Sequence, residues 1–164
     1  MKVASYEIVF QEVPGEVTLA LNISGCPNRC KGCHSPHLWE DTGEELTPEL
    51  LESLIDKYAH GITCVCFMGG DQDPEYVAQL AQLVQSRGYK TAWYSGRDWN
   101  LEADANPSTF HFSPFNFHLS PFTFIKTGPY IEALGGLKSP TTNQRFYKRE
   151  NNTWLDQTAL FRRK

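Results

Sequence analysis

From Ile62 to Met68 the chain is apolar at nearly every position (Ile62-Thr63-Cys64-Val65-Cys66-Phe67-Met68). A strand buried on both faces, as in the middle of a parallel sheet, has that pattern. The segment Val3 to Phe10 alternates loosely and is rich in β-branched and aromatic residues, so it reads as a strand; the turn signal Pro14-Gly15 follows it. Val17 to Ile23 and Tyr89 to Tyr94 read as further strands. Two helices separate the later strands. Thr47-Pro48 opens the first with a capping hydroxyl and a proline at the first helical position. Leu50, Leu51, Leu54, Ile55 and Tyr58 form one apolar face, and Gly61 ends it. Asp73-Pro74 repeats that start; Val77, Leu80, Ala81 and Val84 line the second helix and Gly88 closes it. Strand, helix, strand, helix, strand in that order predicts an α/β fold with a mostly parallel sheet and right-handed crossovers.

Beyond residue 97 the pattern thins. Residues 98–118 hold Phe110, Phe112, Phe115 and Phe117, yet no period fits them. Pro121 to Lys126 predicts another strand, and Gln144 to Lys148 with Thr153 to Leu155 flank Glu150-Asn151-Asn152 as a hairpin. There are no repeats and no linker, so 1–164 reads as one domain.

Composition narrows the function classes. The formal charge of −4 and the lack of a basic stripe argue against a nucleic-acid partner. Arg162-Arg163-Lys164 is short enough to be a solvated tail. No run of ~18 apolar residues exists to cross a membrane. Five cysteines, three of them clustered and none preceded by a signal peptide, predict a reducing cytoplasm and thiols kept for ligation.

The clustered three lie in Cys26-Pro27-Asn28-Arg29-Cys30-Lys31-Gly32-Cys33, a C-x3-C-x2-C spacing. These offsets would share a helical face, but Pro27, Asn28 and Gly32 disfavour a helix and support a metal-wrapping loop. An iron–sulfur cube normally takes one thiolate per iron, so three cysteines leave one iron open. Zinc is the rival, with His34 or His37 completing a Cys3His set.

Position adds weight to iron–sulfur. In parallel α/β folds ligands gather at the carboxyl ends of the strands. Strand 17–23 runs into the cysteine loop, strand 62–68 into Gly69-Gly70-Asp71, and strand 89–94 into Ser95-Gly96. Two glycines allow close backbone approach, and their carbonyls can accept from an amine. Taken alone, Gly69-Gly70-Asp71 would read as a turn with Asp71 or Asp73 capping the next helix. Cys64 and Cys66 share a strand face and read as small buried hydrophobes, although either offers a fourth thiolate. His60, His111 and His118 fit no pattern. Lys126 and Arg145 are lone cations whose default is a surface salt bridge.

With these residues in place, the chain resembles the radical S-adenosylmethionine enzymes, which carry C-x3-C-x2-C after the first barrel strand and Gly-Gly-acid after the second. More narrowly, it is similar to the activating proteins of anaerobic ribonucleoside-triphosphate reductases. The short chain, Gly32 before the third cysteine, Phe124-Ile125-Lys126-Thr127-Gly128-Pro129-Tyr130 and Ser139-Pro140-Thr141-Thr142-Asn143-Gln144-Arg145 carry that likeness. Two positions depart from it: His34 stands where tyrosine is frequent, and Asp71 replaces the commoner glutamate.

The resemblance implies a partial, open β/α barrel of the radical-enzyme type. It implies a [4Fe–4S] cluster on Cys26, Cys30 and Cys33, with S-adenosyl-L-methionine on the open iron. Gly69, Gly70 and Asp71 would hold its methionine end, and Gly32 and His34 would touch its adenosine through backbone atoms. The implied activity is reductive cleavage of S-adenosylmethionine, after which the resulting 5′-deoxyadenosyl radical takes a hydrogen atom from a glycine of the reductase. The implied partners are that reductase and a flavodoxin- or ferredoxin-like electron donor; no acid–base catalytic pair is needed. Three other readings stay open: a small-molecule radical enzyme of the 7-carboxy-7-deazaguanine synthase kind, a non-catalytic zinc module on Cys26, Cys30, Cys33 and His37, and a simple electron carrier with a cluster but no S-adenosylmethionine cleavage.

Overall fold

A computed structural model describes residues 1–101 and 118–162. Phe110, Phe112, Phe115, Phe117 and His111 lie outside the described residues, as do Arg163 and Lys164.

The segment 62–68 forms a strand over Cys64–Met68, and its neighbours in space are the other apolar runs. In chain order the strands are β1 (Lys2–Val9), β2 (Thr18–Ile23), β3 (Glu44–Glu45), β4 (Cys64–Met68), β5 (Lys90–Tyr94), β6 (Phe124–Thr127), β7 (Arg145–Glu150) and β8 (Thr153–Asp156). The helices are α1 (Pro48–Tyr58) and α2 (Pro74–Ser86). Among the described residues the strands pair into one sheet in the order β3-β1-β2-β4-β5-β6-β7-β8. The central four, β2, β4, β5 and β6, are parallel, with Leu19 beside Val65, Val65 beside Thr91 and Trp93 beside Ile125. Both flanks are antiparallel. The strand–helix rhythm does not reveal these flanks, because the links β1–β2 and β7–β8 carry no helix.

Each face of the central strands has its own core. On one, Leu19, Leu21, Ile23, Val65, Phe67, Trp93 and Ile125 meet α1 through Leu51, Leu54 and Ile55, and α2 through Val77, Leu80, Ala81 and Val84. Strand order runs one way from β2 to β5, and right-handed crossovers then put α1 and α2 on the same side. On the other face Cys64, Cys66, Ala92, Phe124 and Phe146 pack together, covered by Val13, Leu137 and Phe161. Burial on both sides explains the continuous apolar runs.

Local chemistry fixes the ends. Thr47 Oγ1 accepts from Leu50 N at 3.1 Å and Asp73 Oδ1 from Tyr76 N at 3.1 Å, each cap contributing about 1 kcal/mol. α1 stops at Tyr58, three residues before Gly61, whose N–H closes the turn on the Tyr58 carbonyl. Asn151 and Asn152, with φ of 51° and 61°, form the two-residue β7–β8 turn. Asparagine tolerates that left-handed backbone, and such a turn matches the twist of paired strands.

Candidate functional site

β2, β4, β5 and β6 end at the same edge of the sheet, and the loops that follow them meet there. The cysteine loop leaves β2 at Ile23 and is tied down on both sides. Gly25 N donates to Glu40 O, Cys26 N to Leu38 O and Cys33 N to Cys30 O, all at 3.0–3.1 Å. Gly25 (φ 75°), Arg29 (φ 43°) and Gly32 (φ 74°) take left-handed backbone, so the segment is a tight loop and not a helix. The three thiols are free and half-buried. Ser35 N donates to Cys33 Sγ at 3.4 Å, a contact of the kind that tunes a cluster thiolate.

The loop after β4 serves that edge residue by residue. Gly69 (φ 111°) and Gly70 (φ 94°) make the turn; a Cβ on Gly70 would lie 2.5 Å from Val77 Cγ2. The Gly69 carbonyl accepts from Trp93 Nε1 at 2.8 Å and the Gly70 carbonyl from Asp73 N at 3.1 Å, each keeping a second lone pair. Asp71 is almost wholly buried. Its Oδ1 accepts from Ser95 Oγ at 2.5 Å, and its Oδ2 accepts from Gly96 N at 2.8 Å and from Asn28 Nδ2 at 2.5 Å. Gln72 Nε2 donates to Ser24 O at 2.7 Å. Asp73, not Asp71, caps α2.

Lys126 corrects an expectation. It is no surface cation: at 8% exposure it sits at the end of β6 on the face opposite the helices. Its Nζ donates to Ser95 O at 3.1 Å and Gly128 O at 2.7 Å. Burial pushes its ammonium down to about 8, against the pull of Asp71, Cys30, Asp98 and Cys26. Arg145 does pair on the surface, with Asp156 at 3.8 Å.

The late segment 128–145 covers the cysteine loop. The Tyr130 ring lies 4.9 Å from that of His34, and Glu132 packs so closely on Gly32 that a Cβ there would be 2.9 Å from its carboxyl carbon. Asn143 Nδ2 donates to Pro129 O, Gln144 Nε2 to Gly128 O and Thr142 Oγ1 to Gly135 O, which holds this cover in place. Gln72 and Glu132 belong to no motif, and the segments that contain Asn28 and Tyr130 do not disclose their partners, which are remote in sequence. Lys126 did carry a signal, since it interrupts the apolar run Phe122 to Ile125.

The donor set fits an iron–sulfur cube: three free thiols on one short loop give one ligand to each of three irons. His34 faces Tyr130. Cys64 and Cys66 are fully buried on β4; burial pushes the Cys64 thiol up to about 12 and Cys66 well above its ordinary range. Both are enclosed in the core on the face away from the helices, so the half-buried thiols are the three of the loop.

No helix among the described residues is long and apolar enough to cross a membrane. No curated protein and no solved structure matches the chain. A family model described as a 4Fe-4S single cluster domain matches residues 13–108, which is more than half of the sequence and takes in β2, the cysteine loop, α1, β4, α2 and β5. The match and the three-thiol donor set lead to the same statement: the chain belongs to the 4Fe-4S single cluster domain family.

Proposed function

We propose that this chain is a radical S-adenosylmethionine activase on a partial, open β/α barrel. It reductively cleaves S-adenosylmethionine at a [4Fe–4S] cluster and installs a glycyl radical on an anaerobic ribonucleoside-triphosphate reductase. One observation carries the reading: a loop with three free thiols and no fourth lies at the same sheet edge as Gly69-Gly70. When bound, the cluster would supply one electron to the sulfonium of S-adenosylmethionine.

The chain's own part is to bind and orient. Cys26, Cys30 and Cys33 hold three irons. The free lone pairs of the Gly69 and Gly70 carbonyls accept from the amine of the methionine end, which the missing side chains allow to come close. Gly32 and His34 offer backbone to the adenosine, with Glu132 beside Gly32 and Tyr130 beside His34. The reductase and a flavodoxin- or ferredoxin-like donor in a reducing cytoplasm complete the reading.

The test mixes anaerobically reconstituted chain, dithionite, S-adenosylmethionine and the candidate reductase. A glycyl radical should appear by electron paramagnetic resonance and vanish with Cys30→Ala. Cleavage of S-adenosylmethionine with turnover of a carboxylated pterin, and no glycyl radical, would overturn the activase reading. Stoichiometric zinc without iron or sulfide would end the radical reading altogether.

A further inference from the structure

Asp71 has a fully satisfied carboxylate at the bottom of the site. Its exposure is 1%, and Ser95 Oγ, Gly96 N and Asn28 Nδ2 all donate to it. Ser95 Oγ is fixed in turn, accepting from Arg97 N at 3.0 Å and Trp99 Nε1 at 2.9 Å. Asn28 is the one donor that belongs to the cysteine loop, midway between Cys26 and Cys30. A second observation says the site is shaped for that side chain: a Cβ on residue 96 would lie 2.4 Å from Asn28 Nδ2, so only glycine leaves room for it. The sheet edge thus holds a slot with a charged acceptor at its base, and the loop inserts one amide into it.

We propose that Asp71 and Asn28 are positioning residues that set the cysteine loop for its cluster. On this assignment the acid after Gly69-Gly70 works on the protein's own loop, and the amine of a bound ligand is left to the glycine carbonyls. A hydrogen bond to a buried carboxylate is among the strong ones, and leaving that acceptor short of a donor is costly. The loop is held at its start, by Gln72 on Ser24 O and by Gly25 N and Cys26 N on Glu40 O and Leu38 O. Between Cys26 and Cys30 the side chains tie the loop twice, through Asn28 on the buried Asp71 and through the exposed Arg29–Glu40 pair at 3.7 Å; the first is the stronger, so its loss loosens those two thiols while the sheet keeps its core.

The proposal rests on the cluster reading, and the test separates the two. Wild-type chain, Asn28→Ala and Asn28→Asp are reconstituted anaerobically, and cluster loss to an iron chelator is followed by visible absorbance. Thermal unfolding of the same proteins without cluster is the control. Asn28→Ala should lose its cluster roughly tenfold faster than wild type, while its cluster-free form still unfolds in one transition with a midpoint only a few degrees lower. Asn28→Asp places two carboxylates together and should be worse. Adding Asp71→Asn to Asn28→Asp, which restores a donor and acceptor in exchanged places, should recover part of the retention; a bystander pair would show no such recovery. If the double variant does not accumulate, alkylation of Cys26 and Cys30 in cluster-free Asn28→Ala, faster than in wild type, gives the same answer. Wild-type retention and alkylation in both single variants would overturn the proposal. A wild-type chain that takes up no iron or sulfide would instead overturn the cluster reading, and this proposal with it.

Discussion

Three buried groups, Lys126, Cys64 and Cys66, carry shifted ionisations that can be measured at the residue scale. Lys126 titrates near 8 in the folded chain and near the ordinary lysine value of 10.5 when unfolded. Between those values the unfolded chain binds more protons, so the contribution of Lys126 to stability rises with pH, at most about 1.4 kcal/mol per pH unit. Urea unfolding of cluster-free wild type and Lys126→Met should show a difference, wild type minus variant, that grows from pH 8 to pH 10. A flat difference would contradict the burial of this amine. The thiols sort the same way. With Cys64 pushed up to about 12 and Cys66 also raised, brief iodoacetamide treatment at pH 8 should modify three of the five cysteines in the native chain and all five in denaturant. Modification of all five under native conditions would return Cys64 and Cys66 to the list of ligands. The cysteine motif and Gly69-Gly70-Asp71 are legible in the sequence because each is contiguous. The bond from Asn28 to Asp71 spans 43 positions and that from Gly96 to Asp71 spans 25, so no spacing rule reaches them. Lys126 reads as a surface cation by type; its burial follows from β6 lying inside the sheet, which only pairing with β5 and β7 reveals.

At the scale of elements, the strands that aim the site are those whose pattern was clearest. β2, β4 and β5 are buried on both faces and therefore apolar at consecutive positions, which marks them before any pairing is known. α1 and α2 are marked by their caps, and both begin where Thr47-Pro48 and Asp73-Pro74 indicate. The antiparallel flanks are unequally legible: the β7–β8 hairpin shows in Glu150-Asn151-Asn152, and the β1 side does not show its pairing. β1 shows alternation but nothing of its partner, and β3 is two residues long. Asp73 links this scale to the site, since it caps α2 two residues after Asp71. Asp73→Ala should cost about 1 kcal/mol in urea unfolding and leave cluster uptake intact, because its side chain bonds Tyr76 N and not the loop. Loss of cluster in that variant would mean that the α2 start and the loop form one unit.

For the whole molecule, four parallel strands deliver their loops to one edge, and the chain divides its chemistry among them. β2 brings thiols, β4 brings glycines and the buried acid, β5 brings the Ser95-Gly96 slot, and β6 brings Lys126 and the cover over the loop. The opposite face is closed by Leu137 and Phe161 against Cys66 and Phe146, so the site opens at the strand ends. The central claim is that one iron is left for a ligand that is not protein. Electron paramagnetic resonance of the dithionite-reduced, reconstituted chain, recorded before and after S-adenosylmethionine is added, tests it most directly. The account predicts a reduced [4Fe–4S] signal whose shape changes on addition. A signal that is identical with and without S-adenosylmethionine would contradict it.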